Sequence, residues 1–509
     1  MRVIEDKSAI EPYLSDESNA LKASPDCVSR VFYPENHIDL TSILRGDYGG
    51  TSNCTMSGAG TGVTGSRVPL CGGSIISMER MLCAAPREGW DMIKAEYPAG
   101  RAMILVSQDR SAAIVPPGIT LDMLSEMLPQ DVFYPPDPTE SSAQIGSTVA
   151  TNASGARTFY YGPTRDWIRA LMVVLANGDS IRMRRGKIRA SDDGHIRFGT
   201  ASGQTYDVPL PSYSMPQVKN AAGLYASPGM DLIDLFIGSE GILGIISEIE
   251  IKLAPRPSEL ITDVAFFGSE ADALGYADDL RVLREEGIIA IEHFDANSLA
   301  FMREKETRIK ESFRAAVMVE ALGDRESTID KIFESCEAHS VIDDWSGPPS
   351  DFKEFRHSLP ESVNSYLRQH DSHKLATDFA VPAAHFPEMM VAYREADEAF
   401  AAKFPRPGVH TVLFGHLGDY HLHFNFIAAN GPEMAFAKGL YLGLAKKVVA
   451  FGGTISAEHG VGKKSIEIDG RDVPYLQLMY GERGLADISA VKRILDPDFV
   501  LNVGNMVRE

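Results

Sequence analysis

The sequence predicts an α+β protein built of two unlike halves, and three observations carry that expectation. From Val28 onward, short apolar runs alternate with glycine-rich loops, the pattern of strands joined by tight turns. At Ala254-Pro255-Arg256-Pro257 two prolines two residues apart make a stiff, non-helical connector. Beyond it, strand patterns alternate with helical ones, as in ferredoxin-like α+β layers. The chain therefore divides into a lead-in over 1–27, a first domain over 28–254 and a second over 258–509.

Composition narrows the class of function. A chain of 509 residues can hold two or more separate cores. A net charge of −21 disfavours nucleic acid and anionic membrane as partners. The five cysteines are an odd number and form no C-x-x-C pair, which reads as reduced thiols in a cytoplasm. The first 18 residues are too acidic for a transit peptide and lack the apolar run of a signal peptide. No apolar stretch approaches the length of a membrane span. The expected location is cytoplasmic, with peripheral membrane attachment left open.

Taken in order, residues 1–27 read as a mobile or helical lead-in. Strands are expected at V-S-R-V-F-Y from Val28, in C-T-M-S from Cys54, at S-I-I-S-M from Ser74, at Met103–Val106 and over 112–116. Leu121, Leu124 and Leu128 fall at helical spacing. Residues 168–185 read as a hairpin closed by a two-residue turn at Asn177-Gly178. Residues 190–225 read as a loop-rich excursion, followed by an alternating strand to about Leu253. After the connector come strand, helix and strand over 260–294, a second round over 315–341, and a strand–helix pair over 376–403. A histidine hairpin follows, then a helix over 432–451 ended by Gly452-Gly453, and a last helical segment.

Three stretches stand out chemically. Ser57–Gly65 reads S-G-A-G-T-G-V-T-G without the helix start of a dinucleotide turn, and so suggests a nest of backbone N–H groups for an anion such as a pyrophosphate. Ile145–Gly155 reads I-G-S-T-V-A-T-N-A-S-G, small residues that suit close approach to something large and flat. Phe414–Phe426 reads F-G-H-L-G-D-Y-H-L-H-F-N-F. Taken as a strand, it puts His421, His423 and Asn425 on one face and Leu422, Phe424 and Phe426 on the other. His416 sits across the Gly418-Asp419 turn. Two imidazoles and a carboxylate make an open site for a borderline divalent ion such as zinc or manganese, and Glu458 in A-E-H-G is the candidate carboxylate. In an extended loop the His459 ring points away from Glu458 and can serve as a general base.

The glycine stretches, with P-P-D-P before the second, Y-G-P-T-R-D after it and G-S-E-G-I-L-G-I at 238–245, resemble the FAD-binding domain of the vanillyl-alcohol-oxidase type. G-H-L-G-D-Y-H-L-H-F-N and E-H-G-V-G resemble the C-terminal domain of the FAD-linked D-lactate, glycolate and D-2-hydroxyglutarate dehydrogenases. The resemblance implies a two-part FAD-binding domain, then a ferredoxin-like substrate (cap) domain whose last helical segment returns to the flavin. It implies that FAD is held by Ser57, Gly58, Ala59, Gly60, Thr61, Gly62, Val63, Pro136, Asp137, Gly146, Ser147, Ala150, Thr151, Asn152, Gly155, Glu240, Gly244, Ile245 and Asn502. It further implies a divalent metal on His416, His423 and Glu458, with Arg356 and Lys374 for the substrate carboxylate. Asn425 and His421 are added as substrate-side residues; His421, an extra histidine on the same face, is either a fourth ligand or, as favoured here, a partner of the metal ligands.

The implied reaction oxidises a lactate-like D-2-hydroxy acid to the 2-oxo acid. His459 takes the hydroxyl proton and a hydride passes to flavin N5. Electrons then leave to an external acceptor such as an electron-transferring flavoprotein, a quinone or a cytochrome. D-2-hydroxyglutarate or glycolate dehydrogenase, and a flavin-carrying electron-transfer subunit, are the alternatives. A homodimer is left open. The chain departs from the pattern at Tyr420 and His421, where the family has glycine and asparagine. It departs again at Ile242, at Asn505 and at Pro360, where a hydroxyl-bearing residue is usual.

Overall fold

The computed structural model of the chain describes residues 1–18, 20–49 and 53–508. Three sheets organise it. The first has four strands in the order Arg2–Ile4, Val28–Tyr33, Gly73–Ser77, Cys54–Ser57, antiparallel at the first pair and parallel at the other two. The lead-in supplies an edge strand and then a short helix, Lys7–Ile10, in keeping with the helical alternative, and Ile10 and Leu14 pack under Val28, Val31 and Ile75.

The second sheet is antiparallel, in the order Ser180–Arg184, Ile168–Val174, Ile245–Lys252, Ala112–Val115, Gly100–Ser107, Trp90–Tyr97. The 168–185 hairpin forms as expected, but its turn is longer than two residues. Leu175 N–H bonds Asp179 O at 2.8 Å and Gly178 N–H bonds Leu175 O at 2.9 Å. Gly178 is left-handed at φ 75° while Asn177 is not, so the turn conformation that needs two positive φ values does not form. The strand Trp90–Tyr97, at a partly exposed edge, carries little apolar contrast and was not anticipated. Ile145–Thr151 is a short helix, ending at Asn152 in the left-handed region. Small residues let it pack tightly: a Cβ on Gly146 would sit 2.5 Å from the Cβ of Pro117. Inside the 190–225 excursion lies a small hairpin, His195–Gly199 with Thr205–Pro209.

The third sheet runs Val341–Gly347, Leu260–Phe267, Ala315–Leu322, Ile288–Asp295, Thr411–His416, His421–Ala428, His373–Ala376, all antiparallel, with Phe379–Ala380 also pairing His421–Ala428. Helices Glu270–Arg281, Phe386–Lys403 and Gly431–Ala450 pack on one face. The last is capped by Asn430, whose side chain accepts from Glu433 N–H, while Glu433 accepts from Ala429 N–H. Leu422, Phe424 and Phe426 are buried on that side, each stabilising by roughly 2 kcal/mol. The other face meets Ala296–Met302 and the long helix Lys353–His370, which carries Arg356. That helix escapes a sequence reading because it is mostly polar and holds Pro360. Its stripe of Phe355, Leu359 and Val363 is what seats it.

The C-terminal segment packs against residues that precede the proline connector. The helix Gln477–Leu495 ends beside Asp496, and Lys492 is almost fully enclosed. Its ammonium donates to Asp496 Oδ2 at 2.6 Å, Leu501 O at 2.8 Å and Ile242 O at 3.1 Å. Among the described residues no helix is long and apolar enough to cross a membrane. Breaking a buried ion pair leaves an uncompensated charge, so Lys492→Ala is expected to lower the unfolding free energy by about 3–5 kcal/mol, read by chemical denaturation.

Candidate active site

Two features meet at the boundary of the two halves. The first is a cleft enclosing about 950 Å³, part of it solvent-facing, between the first and second sheets. Its walls include Ser57–Gly62, Gly146, Ser147, Ala150, Thr151, Glu240, Gly244, Ile245 and Asn502. Most of the residues predicted for the cofactor therefore lie around one space. Val63, Pro136, Asp137, Asn152 and Gly155 do not line it. Asn152 caps its helix and accepts from Arg165 N–H at 2.9 Å. Gly155 is small because a Cβ there would lie 2.1 Å from the carbonyl oxygen of Asp137. Asp137 faces Arg157 and Arg356 instead.

The cleft fits a flavin dinucleotide in shape and polarity. Its walls are mostly backbone and small side chains, which let a large, flat ligand approach the main chain closely. Gln144 Oε1 and Arg67 Nε, on side chains that line the cleft, are buried without a protein partner among the described residues. Arg67 was not anticipated, although a lone cation two residues past the glycine run is a visible signal for an anionic ligand.

The second feature is the histidine hairpin. His416 pairs with His421 and Phe414 with His423 across the two strands, so the three rings share one face. They converge on Glu458. Its Oε2 lies 3.3 Å from His416 Nε2 and 3.9 Å from His421 Nδ1, and its Oε1 lies 3.3 Å from His423 Nε2. One atom from each of the four groups lies within 4.8 Å of all the others. This donor set, three nitrogens and a carboxylate, fits a borderline divalent ion.

Lys219, from the irregular excursion, donates to Glu458 Oε2 at 3.0 Å and to Gly155 O at 3.1 Å. No sequence pattern marked it. Burial pushes the Glu458 carboxyl up, but Lys219 and the His416 and His421 rings outweigh it and hold it well below the usual range. Burial and Lys219 oppose the charged form of His416, yet Glu458 and Glu292 raise it to about 9. Burial, with Lys219, pushes His421 down to about 3 against Glu458 and Asp378.

Asp378, also unanticipated in this role, organises the surroundings. Its Oδ1 accepts from His421 Nε2 at 2.8 Å. Its Oδ2 accepts from Ser456 Oγ at 2.7 Å, His459 N–H at 2.9 Å and Glu458 N–H at 3.3 Å, and lies 3.0 Å from His459 Nδ1. The His459 ring does not point away from Glu458. Its Nε2 is 3.6 Å from Glu458 Oε1, because both backbone N–H groups turn toward one Asp378 oxygen and Gly460 reverses the loop at φ 74°. Burial opposes the His459 imidazolium, but Asp378 raises its pKa above the ordinary value.

Asn425 is buried on the histidine face, with Oδ1 unpartnered among the described residues. Arg356 lies one carboxylate away: Glu292 Oε1 is 3.2 Å from both Arg356 Nη2 and His416 Nδ1. The structure does not bring Lys374 to the cluster. It is exposed on the edge strand His373–Ala376, 3.4 Å from Asn364 Oδ1 on the long helix. Tyr420 adopts the left-handed conformation that suits the family's glycine, at φ 53°, with its ring held between Arg281 and Phe386.

Cleft and cluster are physically joined. Glu240, in the cleft wall, accepts from Val461 N–H at 2.7 Å and Gly462 N–H at 2.8 Å, within E-H-G-V-G itself. A Cβ on Gly460 would lie 2.8 Å from Glu240 Oε1. Asn502 donates to Glu240 O and accepts from Met56 N–H, tying the chain end to the same wall.

Fold and site together define a flavoprotein oxidoreductase of two α+β domains. Residues 256–506 match the family of FAD linked oxidases, C-terminal domain, and residues 100–184 match an FAD binding domain. The chain belongs to the FAD-linked oxidases, in the group of D-lactate, D-2-hydroxyglutarate and glycolate dehydrogenases. It is 28% identical to glycolate oxidase subunit GlcD of Bacillus subtilis (strain 168), covering 97% of this chain and 91% of that protein. It is 26% identical to D-lactate dehydrogenase of Anaerostipes hadrus (89% and 84%) and 24% to D-2-hydroxyglutarate dehydrogenase of Stutzerimonas stutzeri (99% and 96%). Its fold is similar to a solved alkyldihydroxyacetonephosphate synthase, with a TM-score of 0.68 at 17% identity over 98% of this chain and 81% of that one.

The joint between cleft and cluster can be tested directly. Glu240→Ala strands two buried N–H groups and is expected to cost about 3 kcal/mol or more in unfolding free energy, with loss of bound flavin on gel filtration.

Proposed function

We propose that the protein is an FAD- and divalent-metal-dependent dehydrogenase of a small, lactate-like D-2-hydroxy acid. The observation that carries this is the Asp378–His459 pair beside the histidine–Glu458 cluster. Asp378 holds His459 Nδ1, which leaves Nε2 facing the cluster as the atom to accept the substrate hydroxyl proton. His416, His423 and Glu458 would hold the ion. Bound FAD supplies the acceptor for the hydride from the substrate carbon, and the ion supplies Lewis acidity at the substrate oxygens. Asn425, with an open amide oxygen, and Arg356 stand on the same face for the substrate's polar groups. An external acceptor, such as an electron-transferring flavoprotein, a quinone or a cytochrome, completes the cycle.

Relatives named for glycolate and for D-2-hydroxyglutarate keep those acids as second readings. A distal carboxylate needs an additional cation. Arg157, the other largely buried arginine nearby, already faces Glu320 at 2.7 Å, which favours the smaller acid.

Anaerobic mixing with D- and L-lactate, D-2-hydroxyglutarate and glycolate checks the reading. D-lactate is expected to bleach the visible flavin band, chelation of the ion to abolish bleaching, and His459→Ala to slow it by about 10²–10⁴-fold. Bleaching that survives full metal removal, or that His459→Ala leaves unchanged, overturns the mechanism. Bleaching by none of these acids supports an electron-transfer subunit instead.

A further inference from the structure

We propose that His421 is a fourth protein ligand of the ion, so that this chain carries a three-histidine, one-glutamate centre working with more than four ligands. The inference rests on the metal-dependent reading above and concerns what this chain adds to it.

The three rings are set up alike. Each has one nitrogen facing an outer acceptor and the other facing Glu458. For His423 the outer acceptor is Thr377 O, 3.2 Å from Nδ1, and for His416 it is Glu292 Oε1, 3.2 Å from Nδ1. For His421 it is the Asp378 carboxylate, 2.8 Å from Nε2. Asp378 accepts only, so the His421 proton sits on Nε2 and the Nδ1 lone pair is left toward the cluster. A carboxylate bonded to the outer nitrogen is the arrangement that orients an imidazole for a metal. His421 is fully buried, and Nδ1 has no hydrogen-bond partner among the described residues. A buried nitrogen with no partner, aimed at three other donor atoms, is costly unless something binds there. The His421 ring centroid is 4.6 Å from that of His423 and 5.2 Å from that of His416.

The fourth ligand has a chemical consequence. Four protein donors close a tetrahedral site, as in structural zinc centres, whereas a reactive centre keeps positions open. A 2-hydroxy acid binding through its hydroxyl and one carboxylate oxygen adds two more donors. The complete set would then number six donors, which would suit manganese better than zinc.

X-ray absorption on the flavin-containing protein loaded with cobalt(II) counts the imidazoles on the ion. Three in the wild type and two in His421→Asn are expected, with cobalt affinity reduced by at least about tenfold in the variant. Two imidazoles in the wild type overturn the assignment even if the ion is needed for activity. Failure to take up any ion overturns the metal-dependent reading and this proposal together. Oxalate, a two-oxygen chelator, is expected to leave the cobalt centre with the weak visible bands of six-coordination. Intense tetrahedral bands in its presence would contradict the open, higher-coordinate site.

Discussion

The site depends above all on one buried carboxylate. Asp378 is wholly enclosed, and the groups around it keep it charged: burial opposes ionisation, but His459 and His421 hold its pKa well below the ordinary value. It grips two imidazoles, two backbone N–H groups and a serine hydroxyl. Those partners belong to the histidine strand, which ends at Ala428, and to the loop from Ser456 through A-E-H-G, with a long helix and turns between them. A charge so placed fixes geometry rather than merely adding stability, because each partner has a single productive orientation toward it. It aims His421 Nδ1 at the cluster and His459 Nε2 at the space beside it, and it brings Glu458 and His459 to the same side of their loop.

Around that anchor, charge is arranged in alternating layers. Lys219 neutralises Glu458 from the first domain's side, Glu292 sits behind His416, and Arg356 sits behind Glu292. Arg356, with His416 next, outweighs the burial of Glu292 and holds it at about 2. In a low-dielectric interior such alternation is what lets several ionised groups coexist without mutual destabilisation. The same logic joins the halves: Glu240 in the cleft wall binds the backbone of E-H-G-V-G, and Lys219 carries the first domain into the second domain's cluster. The cleft and the cluster form one centre because side chains of each half satisfy backbone and charge in the other.

Much of this was legible in the sequence. The period-two alternation of His421-Leu422-His423-Phe424-Asn425-Phe426 separated the polar from the apolar face correctly, since a strand with one face on a core has no other choice. The glycine stretches around the cleft were legible because close backbone approach forbids side chains. What escaped was carried by tertiary placement. Lys219 stands in a polar, irregular stretch where nothing distinguishes it from a surface lysine. Asp378 looks like any strand-end aspartate until its partners, 43 to 81 residues away, fold onto it. The long helix bearing Arg356 hid behind its polar composition and Pro360. Lys374 matched a pattern in one dimension but extends along an edge strand in three.

The most direct test is Asp378→Asn, which keeps the size of the side chain and removes its charge. Bound flavin, cobalt affinity and the rate of anaerobic bleaching by D-lactate would be compared with wild type. The expected result is a variant that folds and retains flavin, binds cobalt at least about tenfold more weakly and bleaches at least about 100-fold more slowly. A variant that keeps both wild-type cobalt affinity and wild-type bleaching would show that the buried carboxylate does not organise the centre.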